Sequence, residues 1–172
     1  MKKIIILIPV YNDWESLEKL IGEISKIVDD LKEMSFDCFI INDASTITQP
    51  QLTKPKNIKS IKIFDMKKNR GHQRCNAFGI RYIFKNKEFD NLILMDGDGE
   101  DRPIEIKSLI IKALENSNSS VVAKRVKRSE GPMFRFFYII HKIITYIFTG
   151  QKVNFGNFSC LTKKDVGNIY SK

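Results

Sequence analysis

The feature that most constrains this chain is a rhythm of short apolar runs that stop abruptly at polar clusters, with helical patterns between them. Ile4–Val10 is an unbroken apolar run, the mark of a strand covered on both faces, since a half-exposed strand would alternate. Phe36–Ile41 is a second run, ending at Asn42-Asp43-Ala44-Ser45. A polar loop with two prolines leads to a third, Ile58–Phe64, and a fourth, Asn91–Met95, runs straight into Asp96. Asn12 stands ahead of the first helix with Glu15 three residues on, as in a capping box. Leu17, Leu20, Ile21, Ile24, Ile27, Val28 and Leu31 follow as one helical stripe. Gly71 to Phe84 reads as a second helix with Ala77, Ile80, Ile83 and Phe84 inward. Pro103 suits the first turn of a third helix reaching Leu114, ahead of a short fifth strand, Ser120–Ala123. Strands alternating with helices predict an α/β single domain: a Rossmann-like, mostly parallel sheet flanked by helices. Ligands of such sheets bind beyond the carboxyl ends of the strands. The polar clusters at 11–13, 42–45 and 96–101 all fall there.

Composition narrows the function classes. At 172 residues the chain suits one domain with a real core. The opening MKKIIILIPVYN is basic then apolar, but its apolar run is short and lacks a small-residue cleavage site, so a buried strand is expected rather than a signal peptide. No run of about twenty uncharged apolar residues encodes a membrane span. Cys38, Cys75 and Cys160 are scattered, with no CxxC and no paired histidines. They read as reduced thiols of a cytoplasmic protein rather than a disulfide framework or zinc site. Most of the net charge of +9 lies in residues 124–172, where ten Lys/Arg face only Glu130 and Asp165. Such a segment favours phosphates or is simply a solvated basic face.

The run Asp96-Gly97-Asp98-Gly99-Glu100-Asp101 carries the sharpest chemistry. Four carboxylates in one turn repel each other, and a hard divalent cation, Mg²⁺ or Mn²⁺, would relieve that cost while bridging to substrate phosphates. An Asp/Gly turn of no function is the alternative, and its place directly after a buried strand argues against it. The EF-hand reading fails, because Asp101 stands where Gly is needed and Lys107 where Glu is needed. Asp43 at the end of the second strand is placed to accept a bond from a ribose or a base N–H, unless it serves only a turn. Asn69-Arg70-Gly71-His72-Gln73 opens the second helix, where backbone N–H groups and Arg70 can meet an anion. No GxxxxGK[ST] is present, which excludes a P-loop ATPase.

Taken in order, Ile8-Pro9-Val10-Tyr11-Asn12-Asp13, Asn42-Asp43-Ala44-Ser45, Asn69-x-Gly71-His72-Gln73 and Met95-Asp96-Gly97-Asp98-Gly99-Glu100-Asp101-Arg102-Pro103 resemble the ordered motifs of family 2 glycosyltransferases. The likeness is to the polyprenyl-phosphate sugar transferases, of the dolichol-phosphate mannosyltransferase type, and covers roughly residues 4–165. It implies an inverting transferase with the GT-A fold. On it, Pro9, Tyr11, Asp13, Asp43, Gly71 and His72 match the nucleotide side. Asp96 matches a position near the nucleotide or donor sugar, and Asp98 matches the metal ligand. Glu100 also faces the metal, where that branch usually has Gln. Arg125 and Arg128 match phosphate-binding arginines, so that Asp98, Glu100, Arg125 and Arg128 form the catalytic set. Asn154 to Leu161 is similar to the family's later Gly-x-Phe strand. Asn42 stands where Asp is usual and Ala44 where Gly is usual. The chain reaches Lys172 without the later acidic residue that serves as base in members acting on sugar hydroxyls.

The resemblance therefore implies displacement at the anomeric carbon of a nucleoside diphosphate sugar, with a cation neutralising the diphosphate. A hydroxyl acceptor needs a base, whereas a lipid phosphate is already anionic, so polyprenyl phosphate is the expected acceptor ahead of a glycan, in cell-envelope glycan synthesis. A truncated, non-catalytic nucleotide-binding module is one rival. A sugar nucleotidyltransferase is another, but that reading expects a Gly-rich basic loop where this chain has Pro9-Val10-Tyr11-Asn12. The expected organisation is a nucleotide-sugar-binding core over 1–131, an amphipathic helix over 132–150 and a C-terminal strand segment with a short tail over 151–172. Pro132–Thr149 is aromatic, with Phe136, Ile140, Ile143, Ile144 and Ile147 at helical spacing. Arg135, His141 and Lys142 are too many for a span; an ordinary core helix would show the same pattern, but the flanking charge and an acceptor that resides in the bilayer favour an interfacial helix on the cytoplasmic membrane face. Nucleic acid is not expected as a partner.

Overall fold

The structure is a computed structural model that describes residues 1–99, 101–115, 119–124 and 155–171. Glu100, Arg125, Arg128 and the expected helix over 132–149 lie outside the described residues. Ten elements follow in chain order: β1 (Lys2–Val10), α1 (Trp14–Val28), β2 (Met34–Asn42), β3 (Ser60–Asp65), α2 (His72–Asn86), β4 (Asn91–Leu94), α3 (Ile104–Glu115), β5 (Val121–Lys124), β6 (Phe155–Thr162) and α4 (Lys163–Tyr170). The strands form one six-stranded sheet in the order β3-β2-β1-β4-β6-β5. β1 pairs parallel with β2 and β4, and β2 with β3, while β6 runs antiparallel to both its neighbours. The α/β single-domain expectation is met, with this one antiparallel strand set into the sheet.

The unbroken apolar run of β1 is explained by two cores. Ile4, Ile6, Ile8 and Val10 pack with α1 and α3, whereas Ile5 and Leu7 face α2 and α4. Every residue from Ile4 to Val10 is therefore withdrawn from water, as a central parallel strand requires. α1 presents Trp14, Leu17, Leu20, Ile21, Ile24 and Val28 to the first core. Ile27 lies at the margin of this stripe, and Leu31 lies past the helix end.

Several expectations change in detail. The cap of α1 is Asp13, whose carboxylate accepts the Ser16 N–H at 3.3 Å, not Asn12. In α2 the sheet-facing residues are Cys75, Asn76, Gly79, Ile80 and Ile83, and Ala77 is exposed. The tail after β6 is helix α4, capped by Thr162, whose hydroxyl accepts the Asp165 N–H at 3.2 Å. The sequence signal was Thr162-x-x-Asp165, a capping-box pattern with Asp in the place of Glu.

Order in the sheet fixes where chemistry can sit. From β1 the chain crosses to β2 and from β4 toward β5, in opposite directions along the sheet, so a crevice opens between their carboxyl ends, the switch point of an open sheet. β5 ends and β6 begins at this same edge, and Lys124 is paired with Phe155.

Two glycines test the packing. A methyl on Gly79 would lie 2.5 Å from a Leu7 side-chain carbon, whereas Gly22 in α1 has nothing within 4 Å. Gly79→Ala is expected to cost about 1–3 kcal/mol by overpacking against the buried Leu7, and Gly22→Ala to gain up to about 1 kcal/mol of helix propensity. Urea denaturation of both variants measures this. Equal effects would mean that α2 and β1 do not approach closely.

Candidate functional site

Four loops converge at the carboxyl edge, and many of their polar groups are first committed to each other. Asn12 takes a left-handed backbone (φ 56), which asparagine tolerates. Its Oδ1 accepts the Thr46 N–H at 2.7 Å and the Ile47 N–H at 3.1 Å, while its own N–H donates to Ser45 Oγ at 2.9 Å. Trp14 Nε1–H donates to the Ile47 carbonyl at 3.2 Å. The β1–α1 turn and the loop after β2 are thereby one unit.

Asp43 joins that unit to the start of α2. Its N–H donates to the Val10 carbonyl at 2.8 Å. Its two carboxylate oxygens accept the Arg70 and Gly71 N–H groups, both at 2.7 Å, and the side chain is buried. Burial pushes the Cys75 thiol up to about 12, and a hydrogen bond to Asp43 adds to the rise. The sequence reading gave Asp43 a ribose or base to bind; the structure gives its carboxylate a backbone clamp. Asp13 likewise turns back on its own helix. Gly71 is the N-cap of α2 at φ 84, a conformation that suits glycine, and His72 is the first, exposed residue of that helix.

Asn42 and Ala44 also gain physical accounts. Asn42 donates from Nδ2 to Asp65 Oδ1 at 2.7 Å and accepts the Ser45 N–H at 2.9 Å. An aspartate there would set two carboxylates against each other, so the amide suits a chain with Asp65 at the end of β3. Ala44 sits at φ 58, in the left-handed region that costs a side chain roughly 1–2 kcal/mol. Glycine would carry no such strain.

The acidic turn after β4 divides its carboxylates by task. Asp101, buried, accepts the Asp96 N–H at 2.8 Å and closes the turn on itself. Asp96 is half-buried, and Asp98 is exposed at the tip. Gly97 is needed because a methyl there would stand 2.8 Å from the Pro9 carbonyl oxygen, and Gly99 because φ is +79. Gly97 thus serves the contact of this turn with the buried end of β1, while Gly99 lies in open space and serves the turn conformation. Tyr11, at 48% exposure, offers its ring at the same edge.

No group of three His, Cys, Asp or Glu gathers around one point among the described residues. A hard divalent ion held by one or two carboxylates and by substrate phosphate oxygens needs no such cage, and Asp98 on its exposed tip, with Asp96 behind it, fits that mode. A groove of about 430 Å³ lined by Lys3, Phe36, Lys56 and Lys59 opens at the opposite, amino edge, remote from these clusters. A second groove, of about 350 Å³, borders the acidic turn itself and is lined by Gly99, Arg102 and Pro103 with Glu23, Lys26 and Ile27 of α1. The sequence reading overlooked Asn76, a buried amide on the sheet-facing side of α2. No periodicity rule flags a polar residue on an inward face.

Comparison with known proteins adds to this geometry. The family model described as Glycosyl transferase family 2 matches residues 5–166. The undecaprenyl-phosphate 4-deoxy-4-formamido-L-arabinose transferase of Proteus mirabilis is 27% identical over 166 residues, covering 95% of this chain and 48% of that protein. An uncharacterized glycosyltransferase of Synechocystis is 28% identical, covering 95% and 51%. The chain thus spans about half the length of the curated relatives it matches. A mannosyltransferase from Pyrobaculum calidifontis, solved with GDP-Man and Mn²⁺, superposes with a TM-score of 0.62 at 15% identity, covering 96% of this chain and 46% of that one. Glucosyl-3-phosphoglycerate synthase from Mycobacterium tuberculosis, solved with UDP, gives 0.61 at 12%, covering 95% and 57%. At such identities the likeness is one of fold, and the fold is GT-A.

Asp43→Asn keeps one acceptor and turns an NH₂ toward a backbone N–H. It is expected to cost about 2–3 kcal/mol, the range for a lost charge-assisted bond, and to speed hydrogen exchange at Arg70 and Gly71. A variant with wild-type stability and exchange would release Asp43 from the clamp and return it to ligand binding.

Proposed function

The chain belongs to glycosyl transferase family 2, and on that premise we propose that it transfers a sugar from a nucleoside diphosphate sugar to polyprenyl phosphate, with inversion at the anomeric carbon. The observation that carries this reading is the acidic turn at the switch point, with Asp96 half-buried and Asp98 at its exposed tip. The activity for which the Proteus mirabilis relative is named and the ligands of the Pyrobaculum structure support the choice of acceptor and donor.

Each residue then has a task. Tyr11 lies against the base, and the start of α2, with His72 and the Arg70 side chain, meets the nucleotide. Asp43 acts at one remove by fixing that loop. Asp96 accepts hydroxyl hydrogen bonds from the donor, and Asp98, with Glu100, holds Mg²⁺ or Mn²⁺. When bound, the cation supplies charge neutralisation for the departing diphosphate. Arg125 and Arg128 bind the acceptor phosphate, whose oxygen is anionic at neutral pH and attacks without a general base. On this reading the protein works as a peripheral enzyme at the cytoplasmic face of a membrane, where its lipid acceptor resides. Among the described residues no helix is long and apolar enough to cross one.

Two measurements test the reading. Asp98→Ala should reduce transfer about 100-fold or more, the scale for losing a group that neutralises developing charge. It should also abolish the Mn²⁺ dependence of donor binding while leaving the melting temperature in place. Undiminished Mn²⁺-dependent binding would remove Asp98 from the metal. Short-chain polyprenyl phosphate should accept the sugar and the corresponding alcohol should not. Efficient transfer to a soluble sugar hydroxyl would overturn the acceptor assignment.

A further inference from the structure

Asn76 is 7% exposed on α2, and its Oδ1 is enclosed without a hydrogen-bond partner among the described residues. An orphaned amide carbonyl is a standing cost to a fold, so its surroundings ask for a missing donor.

Its location can be read from three contacts. Cys75, the preceding residue, hydrogen-bonds Asp43 at the end of β2, and Tyr82 packs on Phe39 and Phe64 of β2 and β3. One residue of helix turns the side chain by about 100°, so Asn76 lies on the other flank of the buried face. Ile80 and Ile83 lie toward that flank too, in the core that holds Leu92 of β4 and Leu161 of β6. Along the axis, Gly79 sits over Leu7 of β1. α2 runs from the carboxyl edge toward the amino edge, so Asn76 is about 4.5 Å nearer the carboxyl edge than Gly79. That rise is roughly one and a half strand residues, which brings Asn76 close to the level of Pro9. Leu7 is paired with Leu94, and two residues beyond Leu94 is Asp96. Leu92 and Leu94 belong to the α2 side of the sheet, and continued alternation puts Asp96 on that side as well. The buried amide and the half-buried carboxylate therefore share the α2 wall of the crevice between β1 and β4.

We propose that Asn76 is a donor-binding residue whose amide, beside Asp96, receives a hydroxyl group of the nucleotide sugar. The inference rests on the donor reading above and adds a contact on the α2 side of the crevice. A hydroxyl suits the site because it gives its proton to Oδ1 and can accept from Nδ2, a match that neither a phosphate nor a carboxylate offers. The hydroxyl belongs either to the ribose or to the transferred sugar.

The decisive variant is Asn76→Leu, which keeps the branching and heavy-atom count of asparagine and has no polar atoms. Replacing an orphan polar group by an apolar one relieves the unliganded fold, so the melting temperature should hold or rise by roughly 2–4 °C, while donor affinity by calorimetry falls about tenfold. Asn76→Ala serves as a second variant with the same expected loss of binding. If the hydroxyl is the ribose's, free nucleoside diphosphates lose affinity too, and 2′- or 3′-deoxy analogues erase the difference between wild type and variant. If it is the sugar's, free nucleoside diphosphates bind both forms equally and only nucleotide sugars discriminate. Wild-type affinity in both variants, or a loss that every analogue shares equally, overturns the assignment while leaving the donor reading intact. A wild-type protein that binds no nucleotide sugar overturns both.

Discussion

Withdrawing a carboxylate from water is tolerable only when donors replace the solvent, and at Asp43 the replacement donors come from a stretch of chain more than twenty residues away. Arg70 and Gly71 bring their N–H groups, Cys75 its thiol, and Asp43 returns its own N–H to Val10. One side chain thereby ties the end of β1, the end of β2 and the first turn of α2 into a fixed relation. The position of α2 over β1 sets the close passage of Gly79 across Leu7, and the inward flank of α2 forms one wall of the crevice. The acidic turn is fixed separately, through Asp101 and the approach of Gly97 to Pro9. The edge of the sheet is rigid because its loops bond to one another before any ligand arrives, which is the preorganisation that charge-stabilising sites need.

Much of the architecture was legible because buried parallel strands write themselves as continuous apolar runs and their ends as sudden polarity. β1, β2 and β4 were found this way, and so was the edge where the polar clusters meet. The errors were local and share one cause, the competition of tertiary bonds with local rules. Asn12 and Asp13 are both good caps; Asn12 was drawn away by Thr46 and Ile47, and Asp13 took the helix. Ala77 is apolar yet exposed, because the sheet needed the absent side chain of Gly79 and not a methyl. Asn76 could not be found by any polarity rule, since its burial contradicts its chemistry. Composition gave the number of carboxylates in the acidic turn, but not that Asp101 would spend itself on the Asp96 N–H.

The departures from the usual family pattern are coherent when taken together. Asn42 makes sense only with Asp65 beside it, since an amide can give and receive where a second acid would repel. Ala44 keeps the left-handed turn that a glycine would make more easily.

The antiparallel run of β6 has a consequence for how such a protein can change. Lys124 and Phe155 face each other across neighbouring strands at the edge where the acidic turn lies. Whatever occupies positions 125–154 departs from and returns to adjacent anchor points, so its length can vary at small entropic cost to the sheet. Substitutions and insertions between these two anchors leave the register of β4, β5 and β6 in place. The crevice between β1 and β4 and the stretch that joins β5 to β6 are thus free to change independently of one another.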